Sequence, residues 1–176
     1  MKKAVVFIDV QKDFIDKALK NEQAIATIPK IVEFAKICKA EGCKLYATRD
    51  THTEKYLDTL EGKKLPVEHC IEGTDGWMID DRLIEVLDGA CTFINKPTFG
   101  SFDLAEILVE DGPFDEIELC GFCTSICVLA NAVILRAKFP NTPIAVMKDL
   151  CACVTSETHE AALKAMQMCQ IDIKTA

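Results

Sequence analysis

Three residues far apart in the chain each stand at the edge of an apolar run. Asp9 follows residues 4–8, Lys96 follows Phe93, Ile94 and Asn95, and Cys127 opens a strongly apolar stretch. A carboxylate, an ammonium and a thiol that meet in one pocket can shuttle a proton off the sulfur and steady the charges left behind. That is the equipment for keeping a thiolate nucleophile. Cys127 lies in Gly121-Phe122-Cys123-Thr124-Ser125-Ile126-Cys127-Val128, which reads as a strand end turning into a helix. A helix N-terminus lowers a thiol pKa, and its free N–H groups can hold an oxyanion. Each residue also has a plainer reading: a core cysteine, a solvated strand end or helix cap, a surface lysine. Cys120, Cys123 and Cys127 can further be read as metal ligands, although no second ligand pair stands at finger-like spacing.

A second constellation is Asp50, His52 and His69, in the long irregular stretch at about 50–80, with Glu61 between them as a fourth donor. Oxygen and imidazole ligands suit Zn²⁺, Fe²⁺ or Mn²⁺ and do not single out one of them. An ordinary polar loop is the alternative. His159, in the last helical pattern, reads as a solvent-facing residue.

The elements that must position these groups alternate in type. Strand-length apolar runs at 4–8, 44–48, 91–94, 116–120, 144–147 and 171–173 are separated by helical patterns at about 21–41, 103–110, 125–138 and 156–168. Such alternation implies βαβ units, hence an α/β fold: one domain over 1–176, three-layered and doubly wound. Its mainly parallel sheet would have about six strands, with helices on both faces. In open sheets of this kind ligands bind outside the carboxyl ends of the strands. Asp9, Asp50, Lys96 and the turn at 121–127 all fall at such ends.

The 176 residues carry 28 acids against 20 bases, a net charge of −8, and no basic cluster, so a nucleic-acid partner is not expected. About six apolar residues follow the Met-Lys-Lys start before Asp9 interrupts them, too few for a signal core or a membrane span, so a cytosolic protein with no membrane partner is expected. In that setting most of the ten cysteines read as reduced core residues, as at Cys38, Cys91, Cys120 and Cys169.

In this order the motifs resemble those of the isochorismatase-like cysteine hydrolases, and among them the nicotinamidases. Asp9-Val10-Gln11-Lys12-Asp13-Phe14 is similar to the family's Asp-x-Gln-x-Asp-Phe opening. Lys96 with Ser101 and Phe102 resembles its lysine segment, and the 121–128 stretch resembles its nucleophile turn, Gly-x-x-Thr-Asp-x-Cys-Val. The resemblance implies Asp9 as base, Lys96 as its cationic partner and Cys127 as nucleophile. It implies an oxyanion hole from the N–H groups of Cys123 and Cys127, with a cis peptide at Cys123–Thr124, and substrate contacts from Phe14 and Thr124. The Asp50-Thr51-His52 and Leu65 to Thr74 segments are similar to the nicotinamidase metal motif. That implies a divalent metal, zinc first, on Asp50, His52, Glu61 and His69, holding the ring nitrogen of a small amide substrate. Homo-oligomers are common in the family.

Three positions depart from the pattern: Leu65 where an aromatic residue usually stacks on the ring, Ser125 where an Asp is usual, and Lys17 where a glycine is frequent. None removes a catalytic group. The competing expectations are a metal-independent relative acting on a carbamoyl or ureido amide or on isochorismate, a non-catalytic metabolite-binding α/β domain, and a thiol redox protein using Cys120 and Cys123. No Gly-x-Gly-x-x-Gly turn follows the first strand, which counts against a dinucleotide site.

Overall fold

The computed structural model describes residues 1–176. Six strands form one sheet: β1 (Lys3–Ile8), β2 (Lys44–Asp50), β3 (Cys91–Lys96), β4 (Glu116–Phe122), β5 (Ile144–Ala152) and β6 (Asp172–Lys174). Their order is β3-β2-β1-β4-β5-β6, and every pairing is parallel. The expected sheet is therefore present, and parallel throughout. Parallel strands covered on both faces bury nearly every side chain, which is why β1 reads as an unbroken apolar run, buried from Ala4 to Ile8.

The helices are α1 (Glu22–Ala40), α2 (Leu60–Lys64), α3 (Asp81–Leu87), α4 (Phe102–Asp111), α5 (Leu129–Lys138) and α6 (Ser156–Met168). α1 packs on α3, while α5 packs on α4 and on α6, giving one helical layer on each side. None is long and apolar enough to cross a membrane. Strand order reverses between β1 and β4, and a crevice opens at the carboxyl ends of those two strands. Backbones come close there. Gly121 has φ 122°, and a Cβ on it would sit 2.1 Å from the Ile8 carbonyl oxygen, so only glycine fits.

Several local expectations need correction. The stretch at 50–80 holds a 3-10 turn at Tyr56–Asp58 and the short α2, and α3 follows it. Neither helix offers enough turns for periodicity to register in sequence. The apolar stretch at 125–138 opens as a π-helical turn at Thr124–Val128 and becomes α-helical only at Leu129. Cys169, expected in the core, is exposed because it caps the C-terminal end of α6. All ten cysteines are free thiols, and five of them, Cys38, Cys70, Cys120, Cys151 and Cys153, are buried without lining the crevice pocket.

Candidate active site

Asp9, Lys96 and Cys127 meet at the sheet's carboxyl edge. Asp9 follows β1 with φ 48°, a strained left-handed turn for a non-glycine residue, and is 0% exposed. Its Oδ1 accepts the Thr48 hydroxyl at 2.6 Å, and its Oδ2 lies 2.7 Å from Lys96 Nζ. Lys96 ends β3 and is 1% exposed. Its Nζ also donates to the Thr98 carbonyl at 3.0 Å, faces Asp50 Oδ1 at 3.3 Å, and reaches Cys127 Sγ at 3.7 Å. The Asp9 charge also acts on the Cys127 thiol beside it. An ammonium and two carboxylates, all out of water, persist only because each is paired.

Burial pushes the Asp9 carboxyl up; Lys96 offsets part of that and the Asp50 charge adds to it. Burial pulls the Lys96 ammonium down, but Asp9, Cys127 and Asp50 together outweigh it, so the lysine stays charged. The Cys127 thiol is also pushed up, by burial first and by the Asp9 charge second. This reverses the expectation from a helix N-terminus. Cys127 sits inside the π turn, desolvated and facing a carboxylate, and those effects exceed the pull of the helix end. The sulfur therefore rests as a thiol, with a carboxylate beside it.

Asp50, His52, Glu61 and His69 converge beside this triad, with donor atoms within 4.8 Å of one another. His52 Nε2 is 3.0 Å from Asp50 Oδ2, and His69 Nε2 is 3.6 Å from the same oxygen. Glu61 Oε1 stands 3.7 Å from His52 Nε2 and 3.8 Å from His69 Nε2. His69 Nδ1 donates to the Val67 carbonyl at 2.8 Å, which leaves the Nε2 lone pair aimed into the cluster. Two carboxylates and two imidazoles arranged so, three of the four residues buried, fit a divalent cation. Cys120 and Cys127 are not brought together as ligands, since Cys120 points into the core among Cys38 and Cys151.

The opening motif ties the two constellations together. Gln11 Nε2 donates to the Asp50 and Trp77 carbonyls at 2.9 Å, and its Oε1 accepts the Asp50 N–H at 2.8 Å. Asp13 Oδ2 accepts the Cys70 N–H at 2.7 Å and so anchors the residue after His69.

A pocket of about 900 Å³ opens over both groups. Phe14, Leu65, Phe99, Ile126 and Val154 give its apolar wall, and Asp50, Glu61, His69, Cys123 and Cys127 reach its floor. Phe14 also packs edge-on against His69, with ring centroids 5.6 Å apart. Thr124, expected at the substrate, is not in the wall. It is 0% exposed, and its hydroxyl pairs with His159 Nδ1 at 2.8 Å, because the π turn directs the side chain toward α6. His159 is accordingly half-buried and not solvent-facing. The cis peptide falls at Phe122–Cys123, one bond earlier than expected; Cys123 itself is extended (φ −84°, ψ 149°) and joins Thr124 by an ordinary trans bond. No backbone or side-chain acceptor takes the Cys123 N–H.

One residue of this site escaped the sequence reading. Asn131, on α5, is 0% exposed; its Nδ2 donates to the carbonyls of Cys127 (2.8 Å) and Phe99 (3.0 Å), and its Oδ1 accepts the Ser101 N–H (3.0 Å). It straps the loop after β3 to the turn that carries Cys127. That loop carries the Phe99 wall and the Thr98 carbonyl on Lys96. Gly100 lets it lie flat, since a Cβ there would meet Ile134 Cδ1 at 2.6 Å. A lone amide inside an otherwise apolar helix was the available signal. Asn131→Leu should orphan the buried Cys127 carbonyl and Ser101 N–H, at about 1–3 kcal/mol each. It should lower Tm, raise KM and lower kcat, for a combined loss of roughly tenfold or more in kcat/KM. Steady-state kinetics on the folded variant would settle this; an unchanged kcat/KM would reduce Asn131 to a core residue.

Comparison with known proteins places the chain among close matches over its whole length. The Isochorismatase domain profile matches residues 3–176. An uncharacterized isochorismatase family protein, PncA of Bacillus subtilis strain 168, is 29% identical over 174 residues, covering 93% of each chain. Among solved structures, a Pyrococcus horikoshii pyrazinamidase in complex with zinc superposes at TM-score 0.86 with 27% identity, covering 100% of both chains. The nicotinamidase/pyrazinamidase PncA from Bacillus subtilis superposes at 0.87 with 27% identity, covering 99% of this chain and 100% of the other.

Proposed function

The chain belongs to the isochorismatase family of hydrolases, and from that premise we propose that it hydrolyses a pyridine carboxamide, nicotinamide to nicotinate and ammonia, through a thioester on Cys127. The observation that carries this reading is the double engagement of Asp50. One of its oxygens faces Lys96 at 3.3 Å and the other faces His52 at 3.0 Å, which joins the thiol centre to the four-donor cluster across one pocket. A metal-independent amidase would have no need of that junction. The zinc of the Pyrococcus enzyme and the pyridine-type amides in the names of the relatives come to this chain as part of the same proposal.

In this mechanism Asp9 takes the Cys127 proton as the sulfur attacks the amide carbon, and Lys96 keeps the acid–thiolate pair neutralised. The Cys123 and Cys127 N–H groups hold the oxyanion. Asp9 then gives the proton to departing ammonia and later takes one from the water that cleaves the thioester. A divalent ion on Asp50, His52, Glu61 and His69, zinc with iron or manganese as alternatives, would supply a Lewis-acid site for the ring nitrogen. Phe14 and Leu65 flank the ring, and Phe99 helps exclude water.

Ammonia release from nicotinamide, with and without chelator, tests the reading. The expected result is turnover that falls by about 10-fold to 100-fold on chelation and returns with zinc, and His52→Ala protein that no longer retains the ion by elemental analysis. Turnover of a carbamoyl or ureido amide with none of nicotinamide, unaffected by chelator, would assign the chain to the metal-independent relatives instead.

A further inference from the structure

Cys153 is a nucleophile that the amide chemistry leaves unused. β4 and β5 run parallel with Gly121 opposite Cys151 and Phe122 opposite Ala152, and Cys123 and Cys153 each follow directly on that last pair. Neighbouring strands stand about 4.8 Å apart, inside the roughly 4.4–6.8 Å Cα separation that a disulfide spans. The two thiols act on each other's titration, and the side chain of Ser125, two residues after Cys123, reaches the Cys153 sulfur at 3.0 Å.

Their settings differ. Cys153 is 0% exposed, and the hydroxyls of Ser125 and Thr158 lie 3.0 and 3.2 Å from its sulfur. The Cys123 thiol leads these donors in drawing Cys153 down to about 4, and Cys123 itself is pushed up by the same contact. Of the two, Cys153 is the sulfur favoured as thiolate and Cys123 the one favoured as thiol. Cys123 is also the partner that faces the substrate pocket, next to Cys127. Ser125, which departs from the family's usual Asp, is thus one of the groups that hold the Cys153 sulfur.

We propose that Cys123 and Cys153 form a dithiol that hydrogen peroxide, entering through the substrate pocket, converts to a reversible disulfide, a modification site distinct from the nucleophile Cys127. The Cys123 proton passes to Cys153 as the Cys123 sulfur attacks one peroxide oxygen. The O–O bond breaks, and the departing hydroxide takes the proton from Cys153 and leaves as water. Cys153, again a thiolate, attacks the sulfenic sulfur of Cys123. The S–S bond forms, the S–O bond breaks, and hydroxide leaves as the second water with a proton from solvent. One peroxide is reduced by two electrons, one from each sulfur. The disulfide tethers Cys123 at the head of the nucleophile turn and stops turnover until a thiol reductant reopens it.

The test is peptide mass mapping of the intact protein after brief peroxide treatment and alkylation under non-reducing conditions. The expected product is a Cys123–Cys153 crosslink that dithiothreitol removes, absent from Cys153→Ser protein. Both thiols alkylated while Cys127 alone is oxidised would overturn the proposal, as would a crosslink from Cys123 to Cys127. The mapping reads sulfurs and not turnover, so its outcome stands apart from whether nicotinamide is the substrate.

Discussion

Cys127→Ala protein is expected to fold normally and release no measurable ammonia from nicotinamide, a loss of at least about 10⁴-fold. The fold should survive because nothing structural depends on the sulfur. Lys96 keeps Asp9 at 2.7 Å, Asp50 at 3.3 Å and the Thr98 carbonyl at 3.0 Å without it. The side chain borders an open pocket, so its loss adds no sealed cavity to the core. Chemistry, in contrast, has no substitute. The other pocket-facing sulfur, Cys123, is held up in pKa by its contact with Cys153 and has no carboxylate base of its own. Cys127→Ser separates geometry from nucleophilicity: a hydroxyl in the same place is far harder to deprotonate, and it should also be inactive. A Tm within a few degrees of the parent, together with turnover above a tenth of the parent's, would remove the thioester route.

How far the site was legible in sequence follows from where each residue's signal comes from. Asp9, Asp50 and Lys96 sit where strand-length runs stop and Cys127 stands in the turn that leaves β4, and in a parallel sheet all such exits lie on one edge, so strand reading alone collects them. The metal donors were legible for a different reason, as imidazoles clustered in a stretch otherwise without pattern. Thr124 went astray because its orientation depends on a π turn, and apolar periodicity cannot distinguish one extra residue per turn from an ordinary helix start. The thiol pKa went astray because desolvation and a carboxylate from another strand are tertiary effects. Asn131 and the Cys123–Cys153 contact pair residues 30 or more positions from their partners at Ser101 and along the β4–β5 register, which no local pattern encodes.

Asp9→Asn is the sharper test of the proton route, with an expected loss of about 10³-fold in kcat/KM. The asparagine keeps an acceptor for the Thr48 hydroxyl at the Oδ1 position, 2.6 Å away in the parent, so the turn after β1 should hold. Its amide nitrogen, however, would face the Lys96 ammonium donor to donor, and the thiol would have no base. The parent's pH profile carries the same information. Turnover needs Asp9 ionised, and burial raises its pKa with only partial relief from Lys96. The acid limb of kcat/KM should therefore lie above the ordinary aspartate value of about 3.9, with activity rising as pH climbs through it. The ammonium needed at the other end is itself pushed up by Asp9, Cys127 and Asp50, so deprotonation of Lys96 should set no limit near neutral pH. In Asp9→Asn protein that acid limb should vanish from whatever activity remains. Were the limb to persist unchanged in the variant, another group would be the proton acceptor, and the pairing of Asp9 with Cys127 would be structural only.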